Sequence, residues 1–206
     1  WSFSQTPSGQ GFISMDGTEC ELKLLGAHNA MNGALAILAT EEAIKRSAVN
    51  CSRVELLQSI MAVQPTEGRM SSHLVDGVTF INDAYNANPA SMSALLTFAS
   101  GCEAKRKVLV LGDMLELGEN EQSAHEQLVA QIAIVDADVV YLVGEAMRHA
   151  YEGMLDSLYF QHATECAMES IAGCLEQGDI VFLKGSRGIR LERVIDKFMQ
   201  RKVLHP

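Results

Sequence analysis

Polar side chains follow an apolar run in the middle of the chain. Val78 to Ile81 is typical of a buried strand, and positions 82–88 then hold three asparagines, an aspartate and a tyrosine. Asn88 is a good helix cap and Pro89 suits the first helical position. Ligands of open α/β sheets bind where strand ends meet helix N-termini. The pattern predicts a ligand-binding strand end, with a simple capped turn as the alternative.

A glycine-rich and cationic loop occurs near the end of the chain. Lys184 to Gly188 reads K-G-S-R-G and follows a second apolar run. Its glycines permit close backbone approach and its cations attract anions, so the loop is expected to bind an anion. It lacks the spacing of a P-loop, and G-x-G-x-x-G is absent from the sequence. The alternative is that Arg187 and Arg190 pair with Glu192 or Asp196 on the surface of the last helix.

Two smaller clusters also carry suitable side chains. His28 and Asn32 share a face at a helix start, and the carboxamides of Asn29 and Asn32 have the donors and acceptors that fit an adenine edge. Helix capping is the alternative for these asparagines. Asp113 and Glu116 follow an apolar run and could serve as an acid–base pair or as magnesium ligands. We favour a role in capping the next turn for this pair.

Four stretches in this order resemble the Mur ligases, and within that family the ligases that add D-alanyl-D-alanine. They are L-G-A-H-N-A-M-N-G-A-L-A at 25–36, N-D-A-Y-N-A-N-P-A-S-M at 82–92, V-L-V-L-G-D-M-L-E-L-G at 108–118 and L-K-G-S-R-G at 183–188. The resemblance implies an ATP-dependent ligase of cytoplasmic peptidoglycan precursor synthesis, which forms an amide through an acyl phosphate. Its small-molecule substrates would be UDP-N-acetylmuramoyl-tripeptide and D-alanyl-D-alanine.

The resemblance also implies roles for single residues. Three residues would contact adenine: His28, Asn29 and Asn32. Asp83 would accept hydrogen bonds from the ribose of ATP, and Arg69 would act catalytically at the γ-phosphate. The substrate-binding set faces the dipeptide: Tyr85, Asn86, Lys184, Ser186 and Arg187. Mg²⁺ is implied as well, with ligands mostly outside this chain, and we assign no metal ligand within it. The family's P-loop and uridine-binding domain are missing, so the chain alone is expected to be inactive and to need the N-terminal and central domains of the same protein.

The elements that must position these residues fall into two groups. In the first, a hairpin is predicted over 11–25 around Asp16-Gly17, followed by helices from Ala27 to about Lys45 and from Arg53 to Met61. We interpret residues 1–69 as the end of a P-loop-type ATP-binding domain. The turn-rich segment at 65–69 marks the boundary.

In the second group, over 70–206, apolar strand-like runs alternate with helical patterns. The runs lie at 78–81, 108–111, 139–143 and 180–183, and the helical patterns at 89–100, 120–134, 145–154, 164–177 and 189–200. This alternation predicts an α/β fold with a doubly wound, mainly parallel, Rossmann-like sheet. A Rossmann-like nucleotide-binding module, such as a dehydrogenase domain, and a folylpolyglutamate-synthase-like ligase share that architecture and remain alternatives.

Composition excludes several classes of function. The net charge of −10 opposes binding to nucleic acid and to anionic membranes. The sequence contains no run of 18 apolar residues, so membrane insertion is not predicted. Five widely spaced cysteines suggest buried thiols in a reducing cytosol. The start lacks both a signal peptide and an initiator methionine, which suggests a piece of a longer protein. The histidines at positions 73, 125, 149, 162 and 205 lack metal-ligand spacing, so we expect surface or hydrogen-bonded side chains.

Overall fold

A computed structural model describes residues 1–154 and 156–204. The chain divides into two compact units, Trp1–Thr66 and the part that begins at Glu67. The division lies three residues before the boundary inferred from the connector at 65–69. His205 lies outside the described residues, so its expected surface position has no structural counterpart here.

The first unit is built on a three-stranded antiparallel sheet. Its strands are β1 (Ser2–Gln5), β2 (Gln10–Met15) and β3 (Thr18–Leu25), in that order. β2 and β3 form the predicted hairpin, whose two-residue turn has left-handed φ values of 47° at Asp16 and 80° at Gly17. Asp-Gly favours this turn because the glycine adopts positive φ without strain. β1 was not predicted, because a short exposed S-F-S-Q run carries little strand signal.

Both helices predicted for the first unit are confirmed. They are α1 (Ala27–Lys45) and α2 (Arg53–Ala62), and α2 begins with a capping box between Ser52 and Glu55. Helices and sheet share a small core, which contains Ile13, Met15, Cys20, Leu22, Ala30, Ala34, Ile37 and Leu57.

The second unit contains a six-stranded sheet in the order β4-β5-β9-β6-β7-β8. Every neighbouring pair is parallel except β4–β5, which confirms the mainly parallel sheet. The strands are β4 (Ser71–Val75), β5 (Val78–Asn82), β6 (Arg106–Gly112), β7 (Val139–Val143), β8 (Leu158–Phe160) and β9 (Asp179–Lys184).

Helices cover both faces of this sheet, as expected for a doubly wound fold. They are α3 (Pro89–Ser100), α4 (Glu121–Val135), α5 (Arg148–Tyr151), α6 (Glu165–Gly173) and α7 (Arg193–Leu204). Phe98 of α3 meets Phe182 with ring centres 6.0 Å apart, whereas Phe198 meets Phe80 at 5.5 Å. Phe80 pairs in register with Val181, so Phe80 and Phe182 point to opposite faces. α3 and α7 therefore lie on opposite sides of the sheet.

Some predicted boundaries were wrong. α5 is a single turn at 148–151 instead of a helix over 145–154, and α7 starts at Arg193 instead of 189. Arg190 has a left-handed φ of 58°, which prevents a helix from running through it. β4 and β8 were missed because one is largely polar and the other has only three residues.

The cap of α3 sets the end of the loop at 83–88. Asn88 Oδ1 accepts a hydrogen bond from Ser91 N at 2.8 Å, and Ser91 Oγ accepts one from Asn88 N at 3.0 Å. Asn88→Ala should lower the free energy of unfolding by about 1 kcal/mol, because it removes the acceptor for a free helical N–H. Urea denaturation measures the effect, with exposed Thr97→Ala in the same helix as the control. Equal stabilities for the two variants would contradict the prediction.

Candidate functional site

The carboxyl ends of β5, β9 and β6 form one edge at which three loops meet. β9 lies between β5 and β6, and the chain leaves β5 for α3 on one face but leaves β9 for α7 on the other. Where neighbouring strands lead to opposite faces, a crevice opens at their carboxyl ends. The loops at 83–88, 113–117 and 185–192 surround this point. The predicted loops at 82–88 and 184–188 are thus brought to the same edge.

Buried Lys184 forms an ion pair with half-buried Asp83 at this edge. Lys184 is 1% exposed. Its Nζ lies 2.5 Å from Asp83 Oδ2, 3.3 Å from the Asp83 carbonyl oxygen and 2.9 Å from the Asn86 carbonyl oxygen. Asp83 N also donates to Leu183 O at 2.9 Å, so backbone and side-chain bonds join the ends of β5 and β9. The ribose contact of Asp83 and the substrate contacts of Asn86 and Lys184 stay predictions.

The segment before β4 lies along the same loop. Tyr85 N donates to Gly68 O at 3.0 Å, and Met70 N donates to Asp83 Oδ1 at 3.1 Å. Between these bonds, the Arg69 guanidinium carbon lies 4.2 Å from the centre of the Tyr85 ring, a cation–π contact. Gly68 and Met70 have left-handed φ values of 73° and 55°. The structure therefore places Arg69 beside Asp83 and Tyr85.

A polar network around Glu67 holds this segment in place. The sequence analysis did not identify Glu67 as a residue of the site. Glu67 Oε1 accepts from Asn82 Nδ2 at 2.7 Å and from Ser71 Oγ at 3.2 Å. His73 Nε2 lies 3.0 Å from Glu67 Oε2. Ser71 and Glu67 contact the same imidazole nitrogen, so they do not form a nucleophile–base–acid relay, which uses both ring nitrogens. The network holds the backbone, and no local motif in the sequence marks it.

The loop after β9 is joined to the loop after β6. Ser186 N donates to Asp113 O at 2.9 Å, and Ser186 Oγ accepts from Leu115 N at 2.9 Å. A Cβ atom on Gly185 would lie 3.1 Å from Gly112 Cα, so this close approach favours glycine. Ser186 is buried, and its predicted substrate contact stays a prediction.

Arg187 projects from the same loop with 66% of its side chain exposed. Its Nη1 lies 3.4 Å from Glu192 Oε1, which is the surface ion pair that we considered as the alternative. Glu192 is half-buried, with 26% of its side chain exposed, and the single contact of 3.4 Å leaves most of the donors of the exposed guanidinium free for another partner. The dipeptide contact of Arg187 stays a prediction.

Asp113 is buried and acts as a backbone cap. Its Oδ1 accepts from Met147 N at 2.8 Å, so it caps the turn after β7 and not the one after its own strand. Burial raises the pKa of the Asp113 carboxyl, and the N–H groups of Met147 and Ala146 offset part of that rise. Glu116 is exposed. Asp113 therefore is a cap, but the expectation that it caps the next turn of the chain was wrong, and an acid–base role for the pair has no support from this geometry.

His125 shapes the loop at 113–117. It is fully buried, its Nε2 accepts from Met114 N at 3.1 Å, and its Nδ1 lies 2.7 Å from Glu121 O. Since the carbonyl must accept and Met114 N must donate, these bonds assign the neutral ring with its proton on Nδ1. Among the described residues, no group of three or more His, Cys, Asp or Glu side chains is placed to hold a metal ion.

The residues predicted to contact adenine lie in the first unit, at the start of α1. Gly26 is the N-cap, and Asn29 Nδ2 donates back to Leu25 O at 2.8 Å. Asn32 is exposed one turn later, and His28 is half-buried. The geometry leaves Asn32 available at the surface and uses Asn29 locally. Adenine binding by His28, Asn29 and Asn32 stays a prediction.

Two further expectations concern the whole chain. The five cysteines are free thiols, but the expectation that they are buried was wrong for most of them: Cys20 is buried, Cys51 and Cys102 are half-buried, and Cys166 and Cys174 are exposed. Within the ranges that the structure covers, no helix has the length and apolar character needed to cross a bilayer.

Comparison with known proteins identifies the family. Residues 68–187, well over half of the chain, match the family described as Mur ligase, glutamate ligase domain. This chain belongs to the Mur ligase family. The matched region contains β5, β6 and β9, the loops at 83–88 and 113–117, and the first three residues of the loop at 185–192.

Individual Mur ligases match beyond that region. The UDP-N-acetylmuramoyl-tripeptide--D-alanyl-D-alanine ligase of Treponema pallidum is 37% identical over 88% of this chain. MurF from Acinetobacter baumannii superposes with a TM-score of 0.80 over 96% of this chain and 44% of its own, at 25% identity. MurF ligase from Thermotoga maritima, solved in complex with ADP, has a TM-score of 0.74 over 100% of this chain and 47% of its own; at 20% identity it supports the fold alone. This chain spans 39% of the Treponema relative.

Gly144 lies under the Asp113 carboxylate and should not tolerate a side chain. A Cβ there would lie 2.2 Å from Asp113 Cγ, and φ is +127°. Gly144→Ala should lower the free energy of unfolding by about 2–4 kcal/mol through overlap and backbone strain. Gly118→Ala is the matched control, because its φ is +56° but no atom lies within 4 Å of the added Cβ. It should cost about 1 kcal/mol. If urea denaturation shows that Gly144→Ala and Gly118→Ala lose the same free energy of unfolding, the predicted clash is contradicted.

The raised pKa of Asp113 predicts a pH-dependent effect of Asp113→Asn. The folded state binds this proton more tightly than the unfolded chain, so the carboxyl favours folding most below its unfolded pKa of about 3.9. That contribution is lost as pH rises through the folded pKa. Asparagine keeps an acceptor for Met147 N and carries no charge. The free energy of unfolding of the variant, relative to that of wild type, should therefore increase as the pH is raised from about 4 to 7. Urea denaturation across this range tests it, and a constant difference would contradict it.

Proposed function

We propose that this chain forms the C-terminal part of an ATP-dependent ligase that joins D-alanyl-D-alanine to UDP-N-acetylmuramoyl-tripeptide through an acyl phosphate. The observation that carries the proposal is the match of nearly the whole chain to relatives that bear this name. The edge around β9 supports it, because cationic and amide-bearing loops meet there beside an exposed arginine. A Rossmann-like dehydrogenase gains no such support, since the sequence lacks the glycine fingerprint.

The loop after β9 is our candidate for dipeptide binding. D-Alanyl-D-alanine has a carboxylate that must be held while its amine attacks. The Arg187 guanidinium can bind a carboxylate through two parallel hydrogen bonds, and its present contact with Glu192 is a single one of 3.4 Å. Tyr85 and Asn86 have exposed side chains on the neighbouring loop, and the Ser186 hydroxyl can add a donor.

The loop after β5 and the segment before β4 are our candidates for ATP contacts. Asp83 has both oxygens in internal bonds, but a carboxylate has about four acceptor positions and can still accept from a ribose hydroxyl. The Tyr85 ring attracts the charge of Arg69 and does not accept its N–H bonds in the way a phosphate would. We propose that Arg69 serves the γ-phosphate and that the start of α1 contacts adenine through His28, Asn29 and Asn32.

Mg²⁺ does not fit the described residues. Asp113 is buried against backbone donors, Asp83 is paired with Lys184, and no acidic cluster is present in the part of the chain that the structure describes. We propose that the metal ligands and the P-loop lie in the N-terminal and central regions of the longer relatives that the match to this chain does not cover. We propose that the reaction takes place in the cytoplasm, because it uses ATP and a nucleotide-linked substrate.

A hybrid enzyme tests the proposal. The upstream part of the Treponema pallidum relative is joined to this chain at the matching position, and product formation from ATP, UDP-N-acetylmuramoyl-tripeptide and D-alanyl-D-alanine is followed by mass spectrometry. The hybrid should form the pentapeptide product. Each part alone should not, because this chain has no P-loop. Glutamate replaces the dipeptide as the competing acceptor. Transfer to glutamate in preference to D-alanyl-D-alanine would support the folylpolyglutamate-type alternative and overturn the proposal.

Arg187→Lys in the hybrid should weaken binding of the dipeptide and leave binding of ATP nearly unchanged. Lysine keeps the charge but loses the paired N–H geometry, so KM for D-alanyl-D-alanine should rise about tenfold while KM for ATP stays within about twofold. Arg46→Lys is the control, because Arg46 is also exposed and paired with a glutamate, at the end of α1. If the dipeptide KM is unchanged, Arg187 does not hold the substrate.

A further inference from the structure

The ammonium group of Lys184 has a complete set of partners inside the protein. It carries three N–H donors. The carboxylate oxygen of Asp83 and the carbonyl oxygens of Asp83 and Asn86 lie 2.5, 3.3 and 2.9 Å from Nζ. With 2% of the side chain exposed, no donor is directed to solvent. A ligand carboxylate or phosphate would have to displace one of these acceptors to reach it.

The partners of Lys184 belong to a loop that also carries exposed side chains. The Asn86 carbonyl is fixed by Nζ while the side chain of Asn86 is exposed, and Tyr85 between Asp83 and Asn86 is 46% exposed. Tyr85 N is itself bound to Gly68 O. Lys184 thus restrains the backbone on both sides of the exposed Tyr85.

The restraint continues through Asp83 to the segment that carries Arg69. One carboxylate oxygen of Asp83 is bound to Lys184 and the other accepts from Met70 N at 3.1 Å. Without the ammonium, the half-buried carboxylate would lack its charged partner and would turn toward water, away from Met70. The position of Arg69 beside Tyr85 therefore depends on a lysine of the last strand.

We propose that Lys184 is a positioning residue: it holds the 83–86 loop and, through Asp83, the Arg69 segment, and it does not contact bound ligand. The proposal replaces the direct substrate contact that the K-G-S-R-G pattern suggested. It depends on the proposed function only for the identity of the ligands. The geometric part holds for any molecule that binds at this edge.

Hydrogen exchange tests the restraint in this chain without any assay of activity. Lys184→Met should accelerate exchange of the Met70 and Tyr85 amides by at least about tenfold, because both bonds depend on the fixed loop. Lys197→Met is the matched control: Lys197 is also a mostly buried lysine with two carboxylate partners, Glu165 and Glu169, but it lies on α7. It should leave those two amides unchanged. Unchanged exchange in folded Lys184→Met would overturn the proposal.

Acylation of the wild-type chain gives a second test that does not require the variant to fold. With an N-hydroxysuccinimide acetate, Lys184 should react at least about tenfold more slowly than Lys45, whose side chain is 71% exposed. Addition of ADP or D-alanyl-D-alanine should not change the rate. Reaction of Lys184 at the rate of Lys45, or protection of a reactive Lys184 by either ligand, would overturn the proposal.

Kinetics of the hybrid enzyme separate positioning from loss of stability. Lys184→Met should raise KM for ATP and KM for the dipeptide together, because the 83–86 loop and the Arg69 segment both lose the restraint. Arg187→Lys should raise KM for the dipeptide alone. Partial unfolding would reduce the concentration of active enzyme and leave both KM values unchanged. A rise in KM for the dipeptide alone would favour direct contact. Failure of the hybrid to ligate would count against the proposed function, while exchange and acylation would still decide the role of Lys184.

Discussion

A positive charge enclosed at the end of a central strand imposes a strict requirement on this structure. Taking an ammonium ion out of water costs several kcal/mol even after the protein relaxes, so Lys184 must find acceptors on every side. Asp83 and Asn86 supply them. Because these residues come from the loop after β5, satisfying one charge also fixes how β5 and β9 end relative to each other. The outward residues of the edge depend on that internal arrangement.

Much of the second unit could be predicted from sequence because buried parallel strands are almost continuously apolar. The runs at 78–81, 108–111, 139–143 and 180–183 each lie within an observed strand, since both faces of those strands are covered by helices. The start of α3 was also recognisable, because capping depends on residues next to one another in sequence. Edge strands β4 and β8 have fewer covered positions, so hydrophobicity alone does not distinguish them from loops.

The candidate site was predictable as a place but not as a set of contacts. Sequence patterns predicted that the loops at 82–88 and 184–188 lie at one edge of the sheet, because parallel strands align their carboxyl ends. They did not show that Lys184 is bound to a residue 101 positions away, or that Asp113 caps a turn 34 positions later. Such pairs depend on strand order. No local signal shows that the last strand is inserted between β5 and β6.

That strand order has a consequence for biosynthesis. β5 and β6 are made early in the second unit, yet neither pairs with the other; each pairs with β9, at residues 179–184. A ribosome that has reached α6 has therefore released two apolar strands whose shared neighbour does not yet exist. Until β9 emerges, both edges lack their native hydrogen-bond partner and can pair with other chains. The nascent protein depends on its last strand for protection from aggregation, so stalled or truncated translation upstream of β9 leaves an aggregation-prone product.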